Sequence, residues 1–179
     1  MDLETMLSPG SPEWWLLVGV VGFGRGCDLG STYVATPGLL LEANPIARRL
    51  GWRLGVVVNL ALVLLAASWP LLAISLTTTS LLIAARNLQS AWLMRSMGEG
   101  GYRRWMRSRL DAGGRGLAWA CFLGEALLFA VVGGALLWFG RWQLVPFAIG
   151  LGIASHAAAV GVFTSLALWR GRDGNVAPN

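Results

Sequence analysis

Five stretches of the chain stay apolar for most of a bilayer's width, at about residues 14–35, 53–68, 70–93, 117–139 and 144–168. A spanning helix needs roughly 20 mostly apolar residues, each rising about 1.5 Å. The second stretch is short, but it can borrow from its front. Asn44 followed by Pro45 has the form of an N-cap and first helical residue, so a helix over 45–68 carries Arg48 and Arg49 into the headgroups. Trp69-Pro70 then makes the turn into the third stretch, because proline lacks the N–H that a helix interior needs. The pattern predicts an all-α integral membrane bundle of five transmembrane helices.

Two other residue types orient it. Arg48, Arg49 and Arg53 lie between the first and second spans, and Arg95, Arg103, Arg104, Arg107, Arg109 and Arg115 between the third and fourth. Arg170 and Arg172 follow the fifth, and Arg141 alone falls in a loop on the other side. Cytoplasmic loops are the arginine-rich ones. The expected topology is therefore N-out and C-in, at the cell (inner, cytoplasmic) membrane. Residues 1–13 form an acidic extracytoplasmic segment, 14–169 the membrane domain and 170–179 a cytoplasmic polar tail. The N-terminus lacks the basic region of a signal peptide, so the first apolar run is expected to remain as a span. Tryptophan prefers the water–lipid boundary, and Trp14, Trp15, Trp52, Trp69, Trp92, Trp119, Trp138, Trp142 and Trp169 fall near span ends. Trp105 does not. It sits between Gly100-Gly101 and Gly113-Gly114 in YRRWMRSRLDA, where Tyr102, Trp105, Met106 and Leu110 recur at helical spacing. That segment, 101–112, is expected to be a short interfacial amphipathic helix. Arg103, Arg104 and Arg107 would meet anionic lipid headgroups, or simply orient the loop.

Composition agrees with a bilayer solvent. Hydrophobic residues make up 55% of the 179, and the 24 glycines bring the set to about 68%, against roughly 45–50% in a soluble domain. Charged residues are 13%, about half the usual share near 25%. A soluble fold of this size still exposes about a third of its surface and could not hide so much apolar area. A soluble enzyme, a disordered chain and a disulfide scaffold are thereby excluded. The excess of basic residues, formal charge +5, is wholly arginine and lies in short loops, so it requires no nucleic acid. Cys27 and Cys121 fall inside apolar runs and read as small packing residues.

Ionisable groups inside spans are costly, roughly 2.5–3.5 kcal/mol each on insertion scales, and usually face the bundle interior. Arg25 and Asp28 in the first span, Arg86 in the third, Glu125 in the fourth and His156 in the fifth are such groups; Asn59 and Asn87 join them. Counting about 1.5 Å per residue from the tryptophans puts Arg25, Asn59 and His156 near the midplane. Asp28, Glu125 and Arg86 come out roughly 4–8 Å to the cytoplasmic side. One polar layer fed by every span is the expectation. Arg25, Asp28 and Thr32 share a helix face, so Arg25 and Asp28 can neutralise each other; an interhelical Asp28–Arg86 pair is the competing arrangement. The charges either lock the bundle as ion pairs or line a polar cavity.

Known chemistries are mostly absent. A lone histidine, with no HExxH and no paired cysteines, gives no metal site, and no cofactor is implied. One intramembrane aspartate excludes a two-aspartate dyad, and no G-x-S-x-G elbow occurs. Ser155 and His156 are adjacent and diverge by about 100° on a helix, which disfavours a dyad. Gly22, Gly26 and Gly30 repeat every four residues, the spacing of a smooth face for a neighbouring helix. The hydroxyls of Thr77–Ser80 are expected to bond their own helix's carbonyls.

The stretch CDLGSTYVATPGLLLEANP, Cys27 to Pro45, holds Asp28, Ser31-Thr32, Gly38, Glu42 and Asn44-Pro45. It resembles the D-x-x-[ST]-T … G-x-x-x-E-x-N-P signature of a family of short prokaryotic multi-pass membrane proteins with no assigned activity. The resemblance implies a membrane fold and nothing catalytic, and it does not reach Glu125 or His156. From the residues themselves, Glu42 precedes the helix capped by Asn44 and can bond its free amides or Arg48. Asp28 and Glu42 would line a cytoplasm-facing vestibule if residues 36–43 fold inward.

The leading functional expectation is a polar, titratable pocket that binds or translocates a small polar or lipid-like ligand. Its candidate residues are Arg25, Asp28, Thr32, Glu42, Asn44, Asn59, Arg86, Asn87, Glu125 and His156. The alternative is an enzyme acting on a lipid or isoprenoid headgroup, with Glu125 or Asp28 as general base, His156 as proton donor and Arg86 as oxyanion clamp. A third is a non-catalytic subunit that docks a membrane partner through its arginine loop. A homo-oligomer is compatible with the sequence, which fixes no oligomeric state.

Overall fold

A computed structural model describes residues 6–141 and 143–170, with side chains to 166. The first five residues, Trp142 and the tail from residue 171 on lie outside the described residues, as do the side chains of Trp169 and Arg170. The described chain is five helices: α1 (Pro12–Ala35), α2 (Pro45–Ala66), α3 (Pro70–Gly113), α4 (Arg115–Phe139) and α5 (Leu144–Arg170).

Local chemistry sets the helix starts. Ser11 caps α1 by accepting the Trp14 N–H at 3.2 Å, with Pro12 in the first turn. Asn44 accepts from the N–H groups of Ile46 and Ala47, and Pro45 begins α2 as its sequence predicts. Pro70 opens α3 straight after the Trp69 turn. Two glycines bend helices from within, each at a positive φ that L-residues avoid: Gly51 at 66° in α2 and Gly98 at 68° in α3. The arginine-rich segment is the expected short helix, set off by the non-helical Gly98 (φ 68°, ψ 157°) rather than by Gly100-Gly101, and it forms an arm of α3 that runs to Gly113. On this arm Tyr102 is buried and Trp105, Met106 and Leu110 are partly so, while Arg103, Arg104, Arg107 and Arg109 are exposed.

Four helices, α2 to α5, are long and apolar enough to cross a membrane, which makes this a membrane-associated protein. The hydropathy of α1 is diluted by Arg25, Asp28 and its five glycines. Large apolar side chains stand exposed along most of α4, among them Leu127, Leu128, Val131 and Phe139, and α4 buries only Gly133. Surfaces like that belong against lipid or a partner.

Packing is organised around α3. Its two flanks are covered by α1 and α5; α4 packs on α5, and α2 touches α1 and α3 sparsely. Val21, Val63, Ala66 and Ala73 form a small core where α1, α2 and α3 meet. On the other flank the Thr77–Ser80 region does more than bond its own turn. Ser75 Oγ reaches the Ala148 carbonyl and Thr79 Oγ1 the Gly152 carbonyl, both at 2.9 Å, so hydroxyls four residues apart stitch α3 to α5. The close approaches inside helices are at Gly24, Gly133, Gly150 and Gly152, and Gly140 at the end of α4 lies as tightly against Pro146 and Phe147. The expected glycine face is not among them: Gly26 and Gly30 meet nothing within 4 Å and Gly22 only a Val63 methyl at 4.0 Å. The α1 face that packs on α3 is the one carrying Gly24, which lies against Thr77.

Candidate functional site: polar clusters on two faces of α3

The polar side chains gather in two groups, one on each flank of α3. In the first, Arg25 is the hub. Its Nη1 donates to Asp28 Oδ2 at 2.6 Å and to Ser80 Oγ at 3.1 Å, and its Nε donates to Asn59 Oδ1 at 2.6 Å. Asn59 is oriented for this by donating its own amide to the Gly55 carbonyl at 2.7 Å. Three helices thus share one guanidinium, whose rigid fork of N–H donors suits several acceptors at once. One helical turn on, Asn87 donates to Ser31 and Thr32 at 3.2 and 3.0 Å, and Ser31 Oγ donates back to the Asp28 carbonyl. The Arg25–Asp28 pairing is the one made; Asp28 does not pair with Arg86. No fully buried side-chain atom of this cluster lacks a hydrogen bond, and Asp28 is only 8% exposed.

The second group faces α4 and α5. Arg86 Nη1 lies 3.4 Å from Glu125 Oε1, an ion pair without a hydrogen bond, and that buried nitrogen makes no hydrogen bond elsewhere. His156 is 1% exposed, and its Nδ1 makes no hydrogen bond either. The ring stands edge-on to Phe129, centroids 5.0 Å apart, within electrostatic reach of both Arg86 and Glu125. Phe122 lies 6.0 Å below the Arg86 guanidinium carbon. Buried polar groups are normally hydrogen-bonded, so two buried nitrogens without a hydrogen bond are unusual. Arg86 and Glu125 keep side-chain exposures of 30% and 38%, because α4 meets α3 at few points.

A third polar site lies at the Gly98 bend, and sequence reasoning missed it. The Glu99 carboxylate accepts from Thr36 Oγ1 at 2.9 Å, the Gly38 N–H at 2.6 Å and the Leu40 N–H at 2.8 Å. It clasps the α1–α2 loop to the arm of α3. A Cβ at Gly38 would stand 3.0 Å from Glu99 Oε1, and Leu39 is held at φ 56° inside the clasped loop. Nothing in the sequence sets Glu99 apart, since its donors are mostly backbone amides 59–61 residues away. Ser80 was legible in principle: it lies seven residues before Asn87 on the buried side of α3. Glu42 accepts the Asn44 N–H at 2.8 Å, so it serves the α2 cap rather than Arg48, and it is close enough to Asp28 for their charges to interact. Trp52 completes the loop, donating to the Pro37 carbonyl at 2.7 Å and stacking edgewise on Tyr33. Each polar residue of the D-x-x-S-T … G-x-x-x-E-x-N-P stretch therefore has a bonding role.

Burial alone would raise the Glu99 carboxyl. The amide and hydroxyl donors of Gly38, Thr36 and Leu40, with Arg95 nearby, overcome this and hold it below the ordinary glutamate range. A depressed carboxyl adds stability above its unfolded value, about 4.3, and loses it as pH falls through the folded value. The clasp is thus closed at neutral pH and released only in acid. Glu99→Gln is expected to speed amide exchange at Gly38 and Leu40 about tenfold or more at pH 7, since charge-assisted bonds are lost. Unchanged exchange in Glu99→Gln would show that the carboxylate does not hold the loop.

Among the described residues no three acidic, Cys or His side chains come together as a metal site requires. The class defined is an all-α, membrane-associated protein with polar side chains networked between its helices. No family model matches the chain, and no curated protein or solved structure matches it either.

Proposed function

We propose that this is a five-span protein of the cytoplasmic membrane, N-terminus outside and C-terminus inside, that binds or translocates a small polar or lipid-like ligand at Arg86, Glu125 and His156. The observation that carries the reading is a pair of buried nitrogens that make no hydrogen bond, Arg86 Nη1 and His156 Nδ1, the first only loosely ion-paired to Glu125 at 3.4 Å. A purely structural ion pair gains most when its geometry is good and its remaining donors are satisfied. The Arg25 cluster meets that description and the Arg86 cluster does not.

The membrane reading counts α1 as the fifth span. At 24 residues it is long enough, and its Arg25 and Asp28 neutralise each other within the helix. Sidedness follows from the arginines: Arg48, Arg49 and Arg53 and the exposed arm at 101–112 fall on one side of such a threading. On the arm, Arg103, Arg104 and Arg107 would engage anionic headgroups while Tyr102, Trp105 and Met106 turn the other way. The likeness of residues 28–45 to the multi-pass family fits this reading.

Native mass spectrometry of protein extracted from its own membrane tests the pocket. Wild type is expected to carry a small bound molecule that Arg86→Gln and His156→Ala lose, with Asp28→Asn as comparison for the hydrogen-bonded Arg25 cluster. Equal occupancy in all of them would sink it. A second reading is favoured by one fact: of the residues nominated for headgroup chemistry, Arg86 and Glu125 form an ion pair within electrostatic reach of His156, while Asp28 is tied up with Arg25. Glu125 as base, His156 as proton donor and Arg86 as clamp would make the site an enzyme. Turnover of a labelled lipid extract, abolished by Glu125→Gln, separates the two.

A further inference from the structure

The Arg86 cluster has a recognisable polarity. Its buried guanidinium nitrogen, which makes no hydrogen bond, is a donor, and guanidinium has no acceptor to offer. Its one carboxylate, Glu125, already stands 3.4 Å from that nitrogen, so no cation-binding surplus is left. His156 adds a neutral or cationic ring with an open nitrogen. Around these polar atoms the walls are apolar and aromatic: Phe122 under Arg86 and Phe129 against His156, both from α4. Phe122, Glu125 and Phe129 recur at three and four residues, so α4 presents one face that is carboxylate in the middle and ring on either side. That face stands where α4 leaves α3 largely uncovered, and Arg86 stays reachable from outside.

From this geometry we infer that the site takes the anionic headgroup of an amphiphile, a carboxylate or phosphate monoester, bound by Arg86 and His156 with its apolar chain lying between α3 and α4 against Phe122 and Phe129. The inference rests on the pocket reading above and narrows it to a ligand class. Arginine is the residue suited to such headgroups, because its parallel N–H bonds match two oxygens. Desolvation by the flanking rings strengthens that bond relative to one made at an arginine in water. Entry is lateral, from the lipid.

The test uses the full chain in nanodiscs of zwitterionic lipid and three probes of equal chain length: dodecyl phosphate, dodecanoate and dodecanol. Dodecyl phosphate and dodecanoate are expected to bind and raise the unfolding temperature, and dodecanol to bind at least tenfold more weakly. Arg86→Gln should weaken both anions tenfold or more and leave dodecanol unchanged; His156→Gln should weaken them several-fold. The probe series on wild type decides the matter even if Arg86→Gln fails to fold. Equal binding of dodecanol and dodecyl phosphate overturns the headgroup assignment while leaving a pocket in place. So does loss of anion binding in Arg103→Gln/Arg104→Gln/Arg107→Gln but not in Arg86→Gln, which moves the headgroup to the arm. If no probe binds, yet a co-purifying molecule is still lost from Arg86→Gln, the ligand class is wrong and the pocket stands. No probe and no co-purifying molecule defeats both.

Discussion

Arg25→Met is expected to be the most damaging single substitution away from the backbone, lowering unfolding stability in detergent by about 3–5 kcal/mol. The loss is not that of one bond. Arg25 is the common donor to Asp28, Asn59 and Ser80, so its removal strands a carboxylate that is 8% exposed together with the polar atoms from α2 and α3. An uncompensated buried charge costs several kcal/mol, more than a matched pair contributes. The partner substitution supplies the check. Arg25→Met/Asp28→Leu removes both charges, and replacing a buried pair by apolar groups is often neutral, so the double variant should recover most of the loss. A midpoint for Arg25→Met no lower than that of Arg49→Met, a substitution at an exposed residue, would mean that Asp28 is not buried as described. Failure of the double variant to recover would place the loss in Asn59 and Ser80 instead.

Gly152→Val should rank close behind, at about 1–3 kcal/mol or more, the usual cost of forcing atoms into a packed interface. A first carbon at this position would come within 2.6 Å of the Ser75 carbonyl and 2.7 Å of Thr78 Cβ. Neither atom can swing away, because one is helix backbone and the other the root of a side chain. The helices would have to separate, and the Thr79–Gly152 bond would go with them. Gly26→Ala makes the contrast. Open space surrounds that position, and alanine is the better helix former by about 0.8–1.0 kcal/mol, so the variant should be as stable as wild type or more so. Thermal unfolding of the two side by side is the measurement. A destabilised Gly26→Ala with a tolerant Gly152→Val would invert the assignment of which glycines pack.

Those two glycines also mark where sequence reading ends. Long apolar runs, Asn44-Pro45 and Trp69-Pro70 are local signals, and the helices start where they say. The identity of the buried polar groups was legible too, because charge inside an apolar run is conspicuous whatever surrounds it. Pairing was not. Whether Asp28 meets Arg25 or Arg86 depends on the rotation of α1 against α3 and on the order of helices across the array, and neither is encoded in a period. The same ignorance of azimuth made the regular Gly22–Gly26–Gly30 spacing look like the packed face, when Gly24 and α5's Gly150 and Gly152 are the ones that touch. One polar layer became two clusters for this reason: α3 stands between them. Gly100-Gly101 looked like a helix break, yet flanking structure keeps them helical and puts the bend at Gly98. Glu99 was invisible because its role is written in the amides of another loop.

Asn87 and Arg86 are neighbours in the chain and therefore point about 100° apart around one axis. The first grips Ser31 and Thr32, and the second leans toward Glu125. A continuous helical segment gripped on one side and loosely paired on the other cannot turn for one without moving the other. Any turn of the segment before Gly98 that frees Asn87 swings the guanidinium through the same angle, while the non-helical break at Gly98 leaves the arm outside that coupling.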